Sequence, residues 1–184
     1  THLDRSGQRD ESQRIVDEII QCLLRLSKRR VGALIVFEQR TGLKDFMETG
    51  TAIDSLISAP LLENIFEPNT PLHDGAVIIR GDRIVSAACV LTLSESSAIS
   101  RDLGTRHRAA LGVSETTDAT VLIVSEETGI ISMARGGRLT RHLDAEGLRK
   151  IRTGMYHEEH SKLWQFTHKA RRLPGKGGEG HDEK

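Results

Sequence analysis

Short apolar runs of strand length, each closed by turn residues and interleaved with stretches of helical periodicity, constrain this chain more than any other feature. Gly32 to Phe37, Ile53 to Ile57, Gly75 to Arg80, Arg83 to Leu91, Thr120 to Ser125 and Ile130 to Ala134 each read as a strand. Hairpin turns join some neighbours, and helical patterns separate others. That mixture excludes a purely parallel sheet and a sandwich, and the lack of a fixed-period repeat argues against a solenoid. The expected fold is α/β, with a mixed central sheet of about seven strands flanked by about five helices.

Local signals mark the elements in order. Residues 1–9 are polar and patternless and read as a flexible lead. From Asp10, apolar residues at Ile15, Val16, Ile19, Ile20, Leu23 and Leu24 recur at helical spacing, and Lys28, Arg29 and Arg30 complement the dipole at the helix end. Gln39 to Gly42 forms a turn, with a strand and hairpin expected to follow. Ser58 and Pro60 start a helix that runs to Phe66 and ends before Pro68. Gly81-Asp82 makes a tight hairpin turn, which accounts for the RGD string at Arg80 to Asp82 without any adhesive role. A Ser-rich loop from Leu91 then leads to a helix at Gly104. Glu126 to Gly129 and Gly136-Gly137 are turns, and Asp144 caps a closing helix over Ala145 to Arg152. Residues 10–153 make one domain, and residues 154–184 are too polar to bury anything and read as a largely disordered tail.

Lys and Arg together number 26, as do Asp and Glu, so no global field draws this chain to nucleic acid or to an anionic membrane. Any phosphate site must be local. Cys22 and Cys89 sit within apolar patterns without CxxC spacing and read as buried free thiols, in keeping with a reducing cytoplasm. No run approaches the ~20 apolar residues of a membrane span, and no signal peptide opens the sequence.

Two stretches carry chemistry. In Asn69 to Ala76, NTPLHDGA, a His and an Asp stand directly before Gly75 at the entrance of a buried strand. Asp74 there is either a turn cap or a carboxylate that holds a divalent cation or takes a hydroxyl proton, while Gly75 lets the backbone approach a ligand closely. In Gly104 to Glu115, GTRHRAALGVSE, Gly104 and Thr105 open a helix whose first N–H groups lack partners, and Arg106, His107 and Arg108 follow. Either this is a solvated helix start or its arginine forks receive phosphate oxygens. An acidic turn facing a basic helix start suggests a metal-nucleotide site. Three lookalikes fail on context. GKGGEG at Gly175 to Gly180 has neither a strand before it nor a helix after it, His157 to His160 is one residue short of HExxH, and no P-loop occurs.

DGA at Asp74 to Ala76 and RHR at Arg106 to Arg108, about thirty residues apart, resemble the paired motifs of the diadenylate cyclase family. The resemblance runs from about Val31 to about Ala134 and takes in TGLKDFMETG, LSES and VSEETG. It lies nearest the membrane-anchored bacterial members. It implies that two ATP condense to cyclic di-AMP with release of two pyrophosphates, in a face-to-face homodimer using a divalent cation, Mn, Mg or Co. Asp74 is implied to be catalytic, with Gly75, Arg106 and Arg108 beside it. Gly104, Thr105 and the RHR residues would contact phosphates, Leu91 and Ser94 would lie near adenine, and Ser125 near phosphate. His73, Asp74 and a Glu of Glu126 and Glu127 would hold the cation. The near relatives commonly have an aromatic before the residue matching Leu91 and a Pro after it, whereas Val90 and Thr92 stand here, so adenine contact would rest on aliphatic packing. The resemblance further implies an upstream membrane segment, a place at the cytoplasmic face of the membrane, and room for regulatory protein partners. A different class, a catalytically silent sensor of ATP or cyclic di-AMP, is the alternative.

Overall fold

The computed structural model describes residues 3–96, 103–151 and 155. The order is α1 (Leu3–Arg29), β1 (Ala33–Phe37), α2 (Lys44–Met47), β2 (Thr51–Leu56), α3 (Ala59–Ile65), β3 (Ala76–Arg80), β4 (Arg83–Cys89), α4 (Thr105–Thr116), β5 (Thr120–Val124), β6 (Ile131–Arg135), β7 (Arg138–Thr140) and α5 (Ala145–Lys150). The seven strands form one sheet in the order β2-β4-β3-β1-β5-β6-β7, so the expected mixed α/β sheet with its five helices is the fold observed. Only β1 and β3 are parallel; the other pairs are antiparallel.

Side-chain alternation along the strands builds two cores, one on each face of the sheet. Ala33, Ile35 and Phe37 join Val77, Ile79, Leu122 and Val124 beneath α1, α3 and α5. Leu34 and Val36 point the other way and join Ile78, Val121 and Ile123 beneath α2 and α4. Because both faces are covered, β1 and β5 are buried along their whole length and carry no polar alternation. The edge strands β2 and β7 are the polar, exposed ones. Leu23 of α1 is fully buried in the first core. Leu23→Ala is expected to lower unfolding stability by about 2–5 kcal/mol, read as a drop in the urea midpoint at constant slope.

The capping signals hold. Ser58 accepts from the N–H of Leu61 at 3.3 Å, and Asp144 from that of Gly147 at 2.7 Å. Gly81 supplies positive φ in the β3–β4 turn. Both cysteines are free and buried, and burial pushes the Cys22 thiol up to about 12.

Other expectations need correction. The first helix begins at Leu3 rather than Asp10, so most of the supposed lead is helical; no proline interrupts it, and extending a formed helix costs little per residue. No hairpin follows β1. The chain passes through the short α2 and crosses to the far edge, where β2 pairs with β4. The core also extends past residue 153, since Met155 is buried and its carbonyl accepts from Gln39 Nε2 at 2.9 Å. The rest of the expected tail, with the HEEH and GKGGEG strings, lies outside the described residues. No described helix is long and apolar enough to cross a membrane.

Candidate active site

Strand register gathers the distant motifs at one end of the sheet. Ile35 pairs with Val77 in the parallel ladder, and Ala33 pairs with Val124 in the antiparallel one. Because β3 runs parallel to β1 and β5 antiparallel to it, the DGA turn that enters β3, Gly32 before β1 and Ser125 after β5 all lie at the same end of the sheet. β4 ends at the same edge, because Cys89 pairs with Ala76.

Helix α4 starts over this edge. Its N-cap, Gly104, offers no side chain, and no acidic residue occupies the first turn. Arg106 and Arg108 stand there instead, against the helix dipole, so the exposed Gly104-Thr105 end offers unsatisfied N–H groups and two guanidinium groups to an anion. The Arg106 guanidinium lies across Gly32. Its Nη1 is 3.4 Å from Glu126 Oε2, and its Nε is buried without an acceptor. His107 departs from the expected phosphate role for its side chain. It is buried, and burial, then Arg141 and Arg106, push its pKa down, so at neutral pH it is an uncharged interior ring. What it has left to offer at the helix start is its backbone N–H.

The DGA turn is held from both sides. His73 donates from Nδ1 to the Thr70 carbonyl at 2.6 Å, the only role that nitrogen can play toward an acceptor. In the neutral ring this bond fixes the tautomer in which Nε2 carries the lone pair that a metal ligand requires. Asp74 beside it is exposed. Gly75 has φ 103°, and a Cβ there would stand 2.7 Å from the Cys89 carbonyl oxygen, so both conformation and space demand glycine.

The loop from Leu91 packs tightly on α4. Ser94 donates its N–H to the Arg108 carbonyl at 2.9 Å and its hydroxyl to Glu115 at 2.5 Å. Its side chain is thus a tether between loop and helix, buried rather than presented to a ligand. A Cβ on Gly112 would collide with the Thr92 carbonyl, so Gly112 is what lets helix and loop touch. Leu91 is buried in the second core, while Val90 and Leu93 are exposed. Residues 97–102 lie outside the described residues.

Ser125 closes the opposite turn, its hydroxyl accepting from the N–H groups of Glu127 and Thr128 at 3.3 Å. Glu126 and Glu127 are exposed. Ser27, near the end of α1, donates to the Gly129 carbonyl at 2.5 Å and fastens this turn to the helix. The structure brings together only part of the expected cation set of His73, Asp74 and a Glu of Glu126 and Glu127. Among the described residues no three His, Cys, Asp or Glu side chains gather to hold a metal. His73 and Asp74 are a pair, and Glu126 faces Arg106. A hard cation that takes most of its oxygens from phosphate and water still fits such a pair.

Gly32, Gly112, Ser27 and Gly129 are the site-building residues that motif reading missed. The only sequence signal for Gly32 is a small residue placed between a basic helix end and a buried strand.

Comparisons with known proteins place the chain in a family. A sequence profile of the family described as "DAC: DisA bacterial checkpoint controller nucleotide-binding" matches residues 20–139. The chain is 50% identical over 142 residues to the cyclic di-AMP synthase CdaA of Bacillus subtilis, covering 77% of this chain and 52% of that protein. It is 52% identical over 141 residues to a diadenylate cyclase of Listeria monocytogenes, again over 77% and 52%. It therefore spans about half the length of these relatives. Among solved structures, the crystal structure of a double mutant of DacA from Staphylococcus aureus matches with a TM-score of 0.77 at 50% identity, over 79% of this chain and 96% of that one. A hypothetical membrane spanning protein from Bacillus cereus matches with a TM-score of 0.68 at 48% identity, over 70% and 63%. The profile match covers more than half of the chain and falls on the elements that build this sheet edge, and the chain belongs to the DAC family of nucleotide-binding domains.

Proposed function

We propose that this protein is a diadenylate cyclase that condenses two ATP into cyclic di-AMP. The observation that carries the reading is the α4 start: an uncapped helix N-terminus with Arg106 and Arg108 in its first turn, over a sheet end that presents Asp74. The relatives named above are called diadenylate cyclase or cyclic di-AMP synthase, which supports the same substrate and product.

Each 3′-hydroxyl attacks the α-phosphate of the other ATP. Two phosphodiester bonds form, two bonds to pyrophosphate break, and the two hydroxyl protons leave to Asp74 carboxylates or through them to water. The amides of Gly104 to His107 receive phosphate oxygens, and Thr105, Arg106 and Arg108 fix the triphosphate chain. The Gly75 backbone keeps Asp74 at the sheet edge. The loop at Leu91 is assigned to adenine, with Leu91 anchoring it in the core, exposed Val90 and Leu93 on either side as its aliphatic surface, and Ser94 bracing it from behind. His73 and Asp74 would hold a divalent cation, Mn, Mg or Co, which when bound neutralises phosphate charge. Ser125 is assigned to the phosphates. Positioning and charge neutralisation carry most of the rate.

One protomer holds one ATP, so two protomers must meet face to face, with two-fold symmetry presenting the sites to each other. We further propose that the full-length protein works at the cytoplasmic face of the membrane through a segment outside this sequence, where regulatory proteins would act on it. Incubating the purified chain with ATP and Mn²⁺ or Mg²⁺, then separating the products by chromatography, tests the reading. Cyclic di-AMP with two equivalents of pyrophosphate is expected; ATP bound but unchanged would identify a silent sensor instead.

A further inference from the structure

Gly32 is a glycine for which the backbone gives no reason. Positive φ marks Gly75, Gly81, Gly129, Gly136 and Gly137 among the described glycines, and Gly32 is not one of them. What it lacks is room. A Cβ built at Gly32 would stand 2.6 Å from Cζ and 2.7 Å from Nη1 of Arg106, inside any real carbon contact. The guanidinium therefore rests directly on the Gly32 backbone. Glu126 holds its Nη1 at 3.4 Å, and Nε is buried with no acceptor. Gly32 precedes the central strand β1, at the same end of the sheet as the DGA turn before β3 and Ser125 after β5, so the arginine lies at the end of the sheet where the two motifs meet.

We propose that Gly32 is a positioning residue for Arg106, a flat seat that sets where its guanidinium meets a phosphate oxygen, with Glu126 as the side stop in the absence of nucleotide. This rests on the reading of Arg106 as a phosphate ligand. The three atoms nearest a methyl group at position 32 all belong to the far end of the flexible Arg106 side chain, so the methyl group is expected to move Arg106 while leaving the fold in place. The fixed fork loses its aim, and a charge-assisted hydrogen bond that depends on direction is weakened.

The test is a double-mutant cycle on Gly32→Ala and Arg106→Ala, with two readouts. The first is binding of Mg²⁺ with α,β-methylene-ATP, which cannot release pyrophosphate, measured by calorimetry. Gly32→Ala is expected to weaken binding about ten- to a hundredfold, close to the loss from Arg106→Ala, and to change affinity less than about twofold when added to Arg106→Ala. The second is the melting temperature without nucleotide. Gly32→Ala should lower it in the parent and not in the Arg106→Ala background, where the methyl group has space. In turnover, both single variants should divide their loss between kcat and KM in the same proportion. Losses that multiply, or parent-like binding by Gly32→Ala, would overturn the proposal. If the parent makes no cyclic product while both couplings persist, the seat stands and the cyclase reading falls. Additive melting shifts would sink the seat whatever the product.

Discussion

Asp74→Asn is expected to abolish formation of cyclic di-AMP while ATP still binds. An amide can neither take up a hydroxyl proton near neutral pH nor neutralise a cation, and the rate should fall at least about a hundredfold. The fold should be untouched. Asp74 is exposed, and the turn that carries it is held by the His73–Thr70 hydrogen bond and by the backbone demands of Gly75. Nucleotide affinity should survive because the triphosphate contacts come from α4. Single-turnover assays with matched melting curves check the prediction. Near-parent turnover by Asp74→Asn would remove this carboxylate from the chemistry.

Excess Asp74→Asn protomer mixed with parent protein is expected to depress product formation more than dilution predicts. If each protomer holds one ATP, a mixed dimer can complete only one of the two phosphodiester bonds, and ring closure fails. For the same reason, specific activity should rise with enzyme concentration until dimers saturate, while ATP bound per protomer stays constant. The pairing should be weak, because a dimer that admits two ATP and releases a bulky product must open. Specific activity against concentration, with sedimentation of the same samples, measures it. A flat activity curve across a range where the protein sediments as a monomer would sink the two-site mechanism.

The departures from motif reading share a physical pattern. His107 and Ser94 belong to the segments that carry the chemistry, yet both side chains are buried, one as an uncharged ring and the other bonded to Glu115. A motif lists which residues share a segment and cannot say which way each points. On a helix at 3.6 residues per turn, adjacent side chains point about 100° apart, so Arg106 and His107 cannot both face the same way. The cation site shows the same limit. His73 and Asp74 are neighbours in the chain, whereas Glu126 comes from the turn after β5 and meets Arg106 instead.

Local preferences reach only a few residues, and what they reach was legible in the sequence. Ser58 and Asp144 cap helices, Gly81 turns a hairpin, and the continuous apolar runs become strands covered on both faces. Partner choice is not local. That β1 lies parallel to β3 and antiparallel to β5, and that β2 crosses to the far edge, follows from how the helices cover both faces and which runs are apolar enough for the middle. The position of β1 between β3 and β5 is what brings Gly32 to the same end of the sheet as the DGA turn and Ser125. Close approach is likewise decided only in three dimensions. Gly32 under Arg106 and Gly112 against Thr92 look like ordinary glycines in the sequence, because the atoms that forbid a side chain there arrive from residues far along the chain.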